Sequence, residues 1–133
     1  MTGTTCQGSC HCGAVRFAAE IDLRNGTRRC NCSYCTKTRF WKGFVTENGF
    51  RLLSGEHFLS AYGFGEQLIR HVFCTRCGVA LFGQGRLAAS EFHVVNVACL
   101  DDIATDELLA APVAFEDGRN DDWWSQPAEI RHL

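Results

Sequence analysis

Seven of the nine cysteines in this 133-residue chain fall into three tight groups: Cys10-His11-Cys12, Cys30-Asn31-Cys32-Ser33-Tyr34-Cys35 and Cys74-Thr75-Arg76-Cys77. Thiolates one or two residues apart on a turn can face one ion at about 2.3 Å, and two such pairs close a tetrahedron around zinc. The grouping is two, three and two, so the simplest partition is one site of four sulfurs and one of three. Four sulfurs saturate zinc and make a structural site; three leave a position for substrate or water.

Spacing alone does not say which pair joins which. The Cys30, Cys32, Cys35 group supplies three ligands by itself, whereas Cys10/Cys12 and Cys74/Cys77 are half sites about 60 residues apart. A metal joining them would close a long loop and stabilise the fold. Cys6, four residues before Cys10, is the rival ligand. Cys99, in the apolar run Val95-Asn96-Val97-Ala98-Cys99-Leu100, is expected to be a small buried hydrophobe. His11, between two ligands, is expected to point away from their metal, and His71 and His93 read as strand histidines.

Other uses of so many cysteines fit less well. The count is odd, and neighbours one or two residues apart form strained disulfides. The first eight residues show no basic region and no apolar run, so no secretory signal is expected. No stretch approaches 18 apolar residues, so no membrane span is expected either. A cytoplasmic location that keeps thiols reduced follows as the expectation.

These groups need a scaffold, and the chain reads as mainly β. Val15, Phe17, Ala19 and Ile21 alternate with Arg16, Ala18 and Glu20, as in a strand with one buried face. Similar runs occur at 43–45, 50–53, 58–62, 67–73, 80–82 and 92–97, separated by turns such as Glu47-Asn48-Gly49 and Ser54-Gly55-Glu56. One short helix is predicted at 105–110. The segment from Glu116 to Trp124 reads as a turn followed by an aromatic anchor. With 46% apolar and 21% charged residues and no linker, one domain spanning 1–133 is expected.

Charge is unevenly distributed. The net charge of −2 argues against a chain held to nucleic acid by bulk charge. Yet residues 23–46 carry Arg24, Arg28, Arg29, Lys37, Arg39 and Lys42 with no acid, while 101–133 carry nine acids against Arg119 and Arg131. Solvated faces are the plain explanation of such runs.

With the three groups in hand, the chain resembles the family of glutathione-dependent formaldehyde-activating enzymes and centromere protein V. The resemblance rests on Gly8-Ser9-Cys10-His11-Cys12-Gly13-Ala14-Val15-Arg16-Phe17, the Cys30 to Cys35 group, Gly55, Tyr62, Phe73-Cys74-Thr75-Arg76-Cys77-Gly78 and Asn96-Val97-Ala98-Cys99-Leu100-Asp101. The tail Glu116-Asp117-Gly118-Arg119 with Trp123-Trp124 also looks like the family's ending. The resemblance implies a β-tent of two antiparallel sheets joined near a structural zinc, with little helix. It implies a structural zinc on Cys10, Cys12, Cys74 and Cys77 and a catalytic zinc on Cys30, Cys32 and Cys35. The implied activity is condensation of formaldehyde with glutathione to S-hydroxymethylglutathione, a carbon–sulfur lyase reaction.

A zinc held by three thiolates acidifies water poorly but can bind and deprotonate a fourth thiol. That directs the expectation to thiol and aldehyde substrates, with the second zinc labile. Arg28, Arg29, Lys37, Arg39 and Lys42 would then hold an anionic thiol, and Tyr34 would donate a proton. The alternative is a non-catalytic zinc module that contacts protein or nucleic acid through the basic 24–42 stretch.

Overall fold

The computed structural model describes residues 4–65, 69–87 and 89–133. In chain order its elements are β1 (Thr4–Ser9), β2 (Arg16–Ile21), β3 (Thr27–Cys30), α1 (Ser33–Thr38), β4 (Lys42–Phe44), β5 (Phe50–Ser54), β6 (Leu59–Tyr62), β7 (Ile69–Cys74), β8 (Ala80–Leu87), β9 (Ser90–Asn96), α2 (Thr105–Ala110) and β10 (Val113–Glu116). They form a three-stranded sheet, β1-β2-β5, and a seven-stranded sheet, β10-β3-β4-β9-β8-β7-β6. The described residues are therefore mainly β, in two sheets as expected; of the two short helices, α2 is predicted from the sequence and α1 is not.

The alternation read in the sequence is what joins the sheets. Val15, Phe17, Ala19 and Ile21 are each at most 2% exposed. They pack with Val72, Cys74, Leu81, Phe82 and Val95 of the larger sheet. Full burial of side chains such as Phe17 and Leu81 is worth about 1.5–3 kcal/mol each. Gly8 of β1 bridges to Leu100, and a Cβ there would run into the Phe17 ring and the Cys99 carbonyl. Only glycine lets the strands meet so closely.

The larger sheet has two useful faces. Along β9, His93 and Val95 face the smaller sheet, where His93 stacks on Phe50. Phe92 and Val94 face the other way, onto a second cluster built around Cys30, Cys32 and Cys35. The two cysteine groups thus lie on different sides of one sheet.

Several expectations shift. All pairings are antiparallel except β10 with β3, which run parallel because β10 returns through the long connection containing α2. The run at 67–73 begins as β7 at Ile69, and Gln67 and Leu68 lie outside the described residues. The run at 80–82 continues to Leu87, and α2 occupies 105–110 as predicted. Of the tail tryptophans, Trp123 packs against the second cluster, but Trp124 is 92% exposed and anchors nothing. Among the described residues no helix is long and apolar enough to cross a membrane.

Candidate metal centres

The first centre forms where the sheets meet. Cys10 follows β1 in a turn closed by the Gly13 N–H on the Cys10 carbonyl, 3.1 Å, and Cys74 ends β7 in a turn closed by Gly78 on the Cys74 carbonyl, 2.7 Å. Both glycines have positive φ, 79° and 80°, where a side chain would be strained. These paired turns bring the Sγ atoms of Cys10, Cys12, Cys74 and Cys77 within 4.8 Å of one another. Cys6 belongs to neither cysteine group, and its thiol donates to the Thr4 carbonyl instead, 3.6 Å.

Electrostatics shows what four adjacent sulfurs require. Against burial, backbone N–H groups of Cys12 and Val79 and the neighbouring sulfurs hold the Cys77 thiol down, to about 6. Cys12 has the Ala14 N–H favouring its thiolate, yet burial and three adjacent sulfurs push it up to about 11. Neighbouring thiolates repel, and a divalent cation removes the conflict by deprotonating them all. An all-sulfur donor set of four suits zinc in a closed site.

The second centre is built locally. Cys30 ends β3, Cys32 caps α1 and Cys35 lies within it, with all three at most 8% exposed. The Cys30 sulfur accepts the Cys32 N–H and the Cys32 sulfur accepts the Cys35 N–H, each at 3.3 Å. The three Sγ atoms lie within 4.8 Å of one another. Hydrogen bonds from Cys30 and Cys35 hold the Cys32 thiol far below the usual range, while sharing that charge pushes Cys30 and Cys35 up. This donor set also fits a thiophilic divalent ion, with three ligands rather than four among the described residues.

The tail holds this second centre in shape. Asn31 Nδ2 donates to Asp117 at 2.7 Å, and Asn31 Oδ1 accepts the Arg119 backbone N–H at 2.9 Å. The Arg119 guanidinium reaches back to the Asn31 carbonyl, 3.1 Å, and to the Thr36 hydroxyl, 3.2 Å. Gly118 lies so close that a Cβ on it would sit 2.7 Å from the Cys30 sulfur and from Trp123. The cysteine spacing does not point to Asn31, Gly118 or Trp123; the signal the sequence carries for them is the family-like ending around Glu116 to Trp124.

The predicted substrate contacts divide. Arg29 and Arg39 line a small recess with Cys30, Cys35, Phe40 and Leu133. Arg29 also lies over the Trp41 ring at 4.8 Å, and Arg39 donates to the His132 carbonyl. Arg28 and Lys42 share Glu116 instead, at 3.4 and 2.6 Å, so part of their charge is offset within the fold. Lys37 lies on the exposed last turn of α1. Tyr34 is half-buried and stacks on His71 with ring centroids 3.8 Å apart. Burial and the charges of Cys35 and Cys32 keep its phenol protonated.

All nine cysteines are free thiols. Burial lifts Cys6 to about 11 and Cys99 to about 12, which leaves both protonated and inert at neutral pH. Alkylation of the native protein at pH 8, followed by peptide mass spectrometry, is expected to leave Cys6 and Cys99 unmodified. A chelator should expose ligand cysteines first, with Cys12 and Cys77 ahead of the buried ones.

Comparison with known proteins gives a consistent picture. Residues 5–116 match the family described as glutathione-dependent formaldehyde-activating enzyme. A Halomonas elongata protein, provisionally named as such an enzyme, is 35% identical over 85 residues, covering 57% of this chain and 54% of its own. The chain thus spans about half the length of that curated relative. The crystal structure of a Rhodobacter sphaeroides protein superposes with a TM-score of 0.68 at 32% identity, covering 81% of this chain and 99% of that one. A family match running from β1 to the end of β10, across both cysteine groups, places the chain in the family of glutathione-dependent formaldehyde-activating enzymes.

Proposed function

We propose that the chain is one zinc-binding domain, residues 1–133, acting as a carbon–sulfur lyase of the S-(hydroxymethyl)glutathione synthase type. It would join formaldehyde, or another small aldehyde, to glutathione or a related thiol. The observation that carries this reading is the separation of seven sulfurs into one group of four and one of three. Cys10, Cys12, Cys74 and Cys77 would hold a structural zinc, and Cys30, Cys32 and Cys35 a second, labile one. Bound there, the second zinc would supply a deprotonated substrate thiol at neutral pH.

The protein's own groups orient and discharge the reactants. Arg29 and Arg39 present two cations beside Cys30 and Cys35, suited to the carboxylates of glutathione. As the sulfur–carbon bond forms, the carbonyl π pair moves to oxygen, which takes a proton from Tyr34 or water; solvent reprotonates Tyr34. Exchange NMR of formaldehyde with glutathione, with and without the zinc-loaded protein, tests the reaction. An unchanged exchange rate removes it and leaves the metal sites standing.

Arg39→Ala is expected to raise KM for glutathione about tenfold, the scale of one charge-assisted hydrogen bond, with little change for an uncharged thiol. Titrations with both thiols check it. The alternative, a module that contacts nucleic acid through 24–42, is weakened by where those cations go. Arg28 and Lys42 share Glu116, and Arg24 pairs with Asp22. A cytoplasmic setting, which keeps seven ligand thiols reduced, accords with the same chemistry.

A further inference from the structure

His71 of β7 is 8% exposed, and its Nε2 is buried with no hydrogen-bond partner. Among the described side chains only Thr46 Oγ1 shares that condition. Leaving a buried polar atom unsatisfied costs about 1–3 kcal/mol, and such atoms in native proteins call for a partner. The ring is held in place by its stack on Tyr34, tilted 23°, with Phe64 at 5.7 Å. Tyr34 sits between Cys32 and Cys35, and the charges that reach His71 are those of Cys32 and Lys42. His71 is therefore beside the three-cysteine centre, yet it is not among the donors gathered there within 4.8 Å.

We infer that His71 Nε2, carrying its proton, donates a hydrogen bond to the carbonyl oxygen of the aldehyde that reacts beside Cys30, Cys32 and Cys35. This role rests on the proposed reaction and names a further residue for it. When the sulfur–carbon bond forms, charge moves onto that oxygen, and a fixed neutral donor in a dry site stabilises it without solvent having to reorganise. His71 keeps its own proton throughout; the oxygen is protonated by Tyr34 or water. Burial favours the neutral imidazole that such a donor requires.

The test separates this role from the reaction itself. His71→Phe keeps an aromatic ring against Tyr34 and removes the donor, and His71→Gln restores an N–H. In the cobalt-loaded protein, the thiolate-to-metal absorption band on adding glutathione should be the same in wild type and both variants. The rate of aldehyde addition should fall about 100-fold in His71→Phe, the effect of losing one oxyanion donor, and recover in part in His71→Gln. In wild type, the ¹⁵N resonance of His71 Nε2 should shift with S-hydroxymethylglutathione and stay put with S-methylglutathione. A wild type that accelerates addition alongside an equally fast His71→Phe overturns this role alone. So does cadmium-113 coupling to Nε2, which would make His71 a ligand. A wild type that neither binds the thiol nor accelerates addition removes the reaction first.

Discussion

Cys74→Ser is expected to leave the chain unfolded or aggregated, and Cys32→Ser to leave it folded with one metal fewer and no activity. Cys74 is fully buried between the sheets, packed in the cluster that holds Val15, Phe17 and Leu81. Its sulfur lies 3.8 Å from that of Cys12, across 62 residues of chain. Structural zinc sites contribute about 10–16 kcal/mol of apparent binding energy at neutral pH. A domain has only about 5–15 kcal/mol of net stability to lose. Cys32 lies on the other face, where its sulfur caps α1 by accepting the Cys35 N–H. Serine is a preferred cap, so the helix start survives while a thiolate donor is lost. Metal analysis and thermal melting of both variants check the contrast. Cys99→Ser, which also places a hydroxyl in the core but removes no candidate ligand, should stay folded and keep both metals. Equal destabilisation by Cys74→Ser and Cys32→Ser would sink the division between the centres.

The features legible in the sequence are those written locally. Each cysteine group reaches at most five residues along the chain, so spacing alone points to its candidate donors, and β2 carries the apolar alternation read in the sequence, although Ala18 between the alternating residues is buried too. β1 and β3 are not legible in the sequence because TTCQGS and TRRC carry no apolar alternation; they are strands because neighbours supply their hydrogen bonds. α1 has six residues, too few to display a helical period, and its cap is a cysteine rather than the usual serine or aspartate. What completes the second centre is non-local: Gly118 lies against Cys30, Asp117 and Arg119 hold Asn31, and His71 arrives from β7. No run of letters near residue 30 announces any of them. The charge pattern was visible, but its meaning changed once Glu116 of the acidic segment proved to sit between two cations of the basic one.

Glu116→Ala is expected to carry a large cost although it removes no cysteine. Its side chain is 5% exposed, 2.6 Å from the Lys42 ammonium and 3.4 Å from the Arg28 guanidinium. Lys42 is itself 14% exposed, so removing the carboxylate leaves a cation out of water with Arg28 as its neighbour. Breaking a buried pair from one side costs about 3–5 kcal/mol, whereas replacing both partners by apolar groups can be nearly neutral. Urea unfolding of the zinc-loaded protein should therefore show a loss on that scale for Glu116→Ala, and most of it should return in Glu116→Leu with Lys42→Met. The exposed pair of Arg131 with Glu129 is the control, because solvent screens it and its loss should barely register. Position couples the effect to the metal. Glu116 ends β10, pairs in register with Cys30, and accepts the Asn31 N–H through its carbonyl, 3.2 Å. Loosening β10 frees Gly118 and Trp123 from Cys30, so the second metal should dissociate faster in Glu116→Ala while the first is retained. A loss no larger than that of the exposed pair would show that water reaches Glu116 and that the acidic tail is not what fixes the three-cysteine centre.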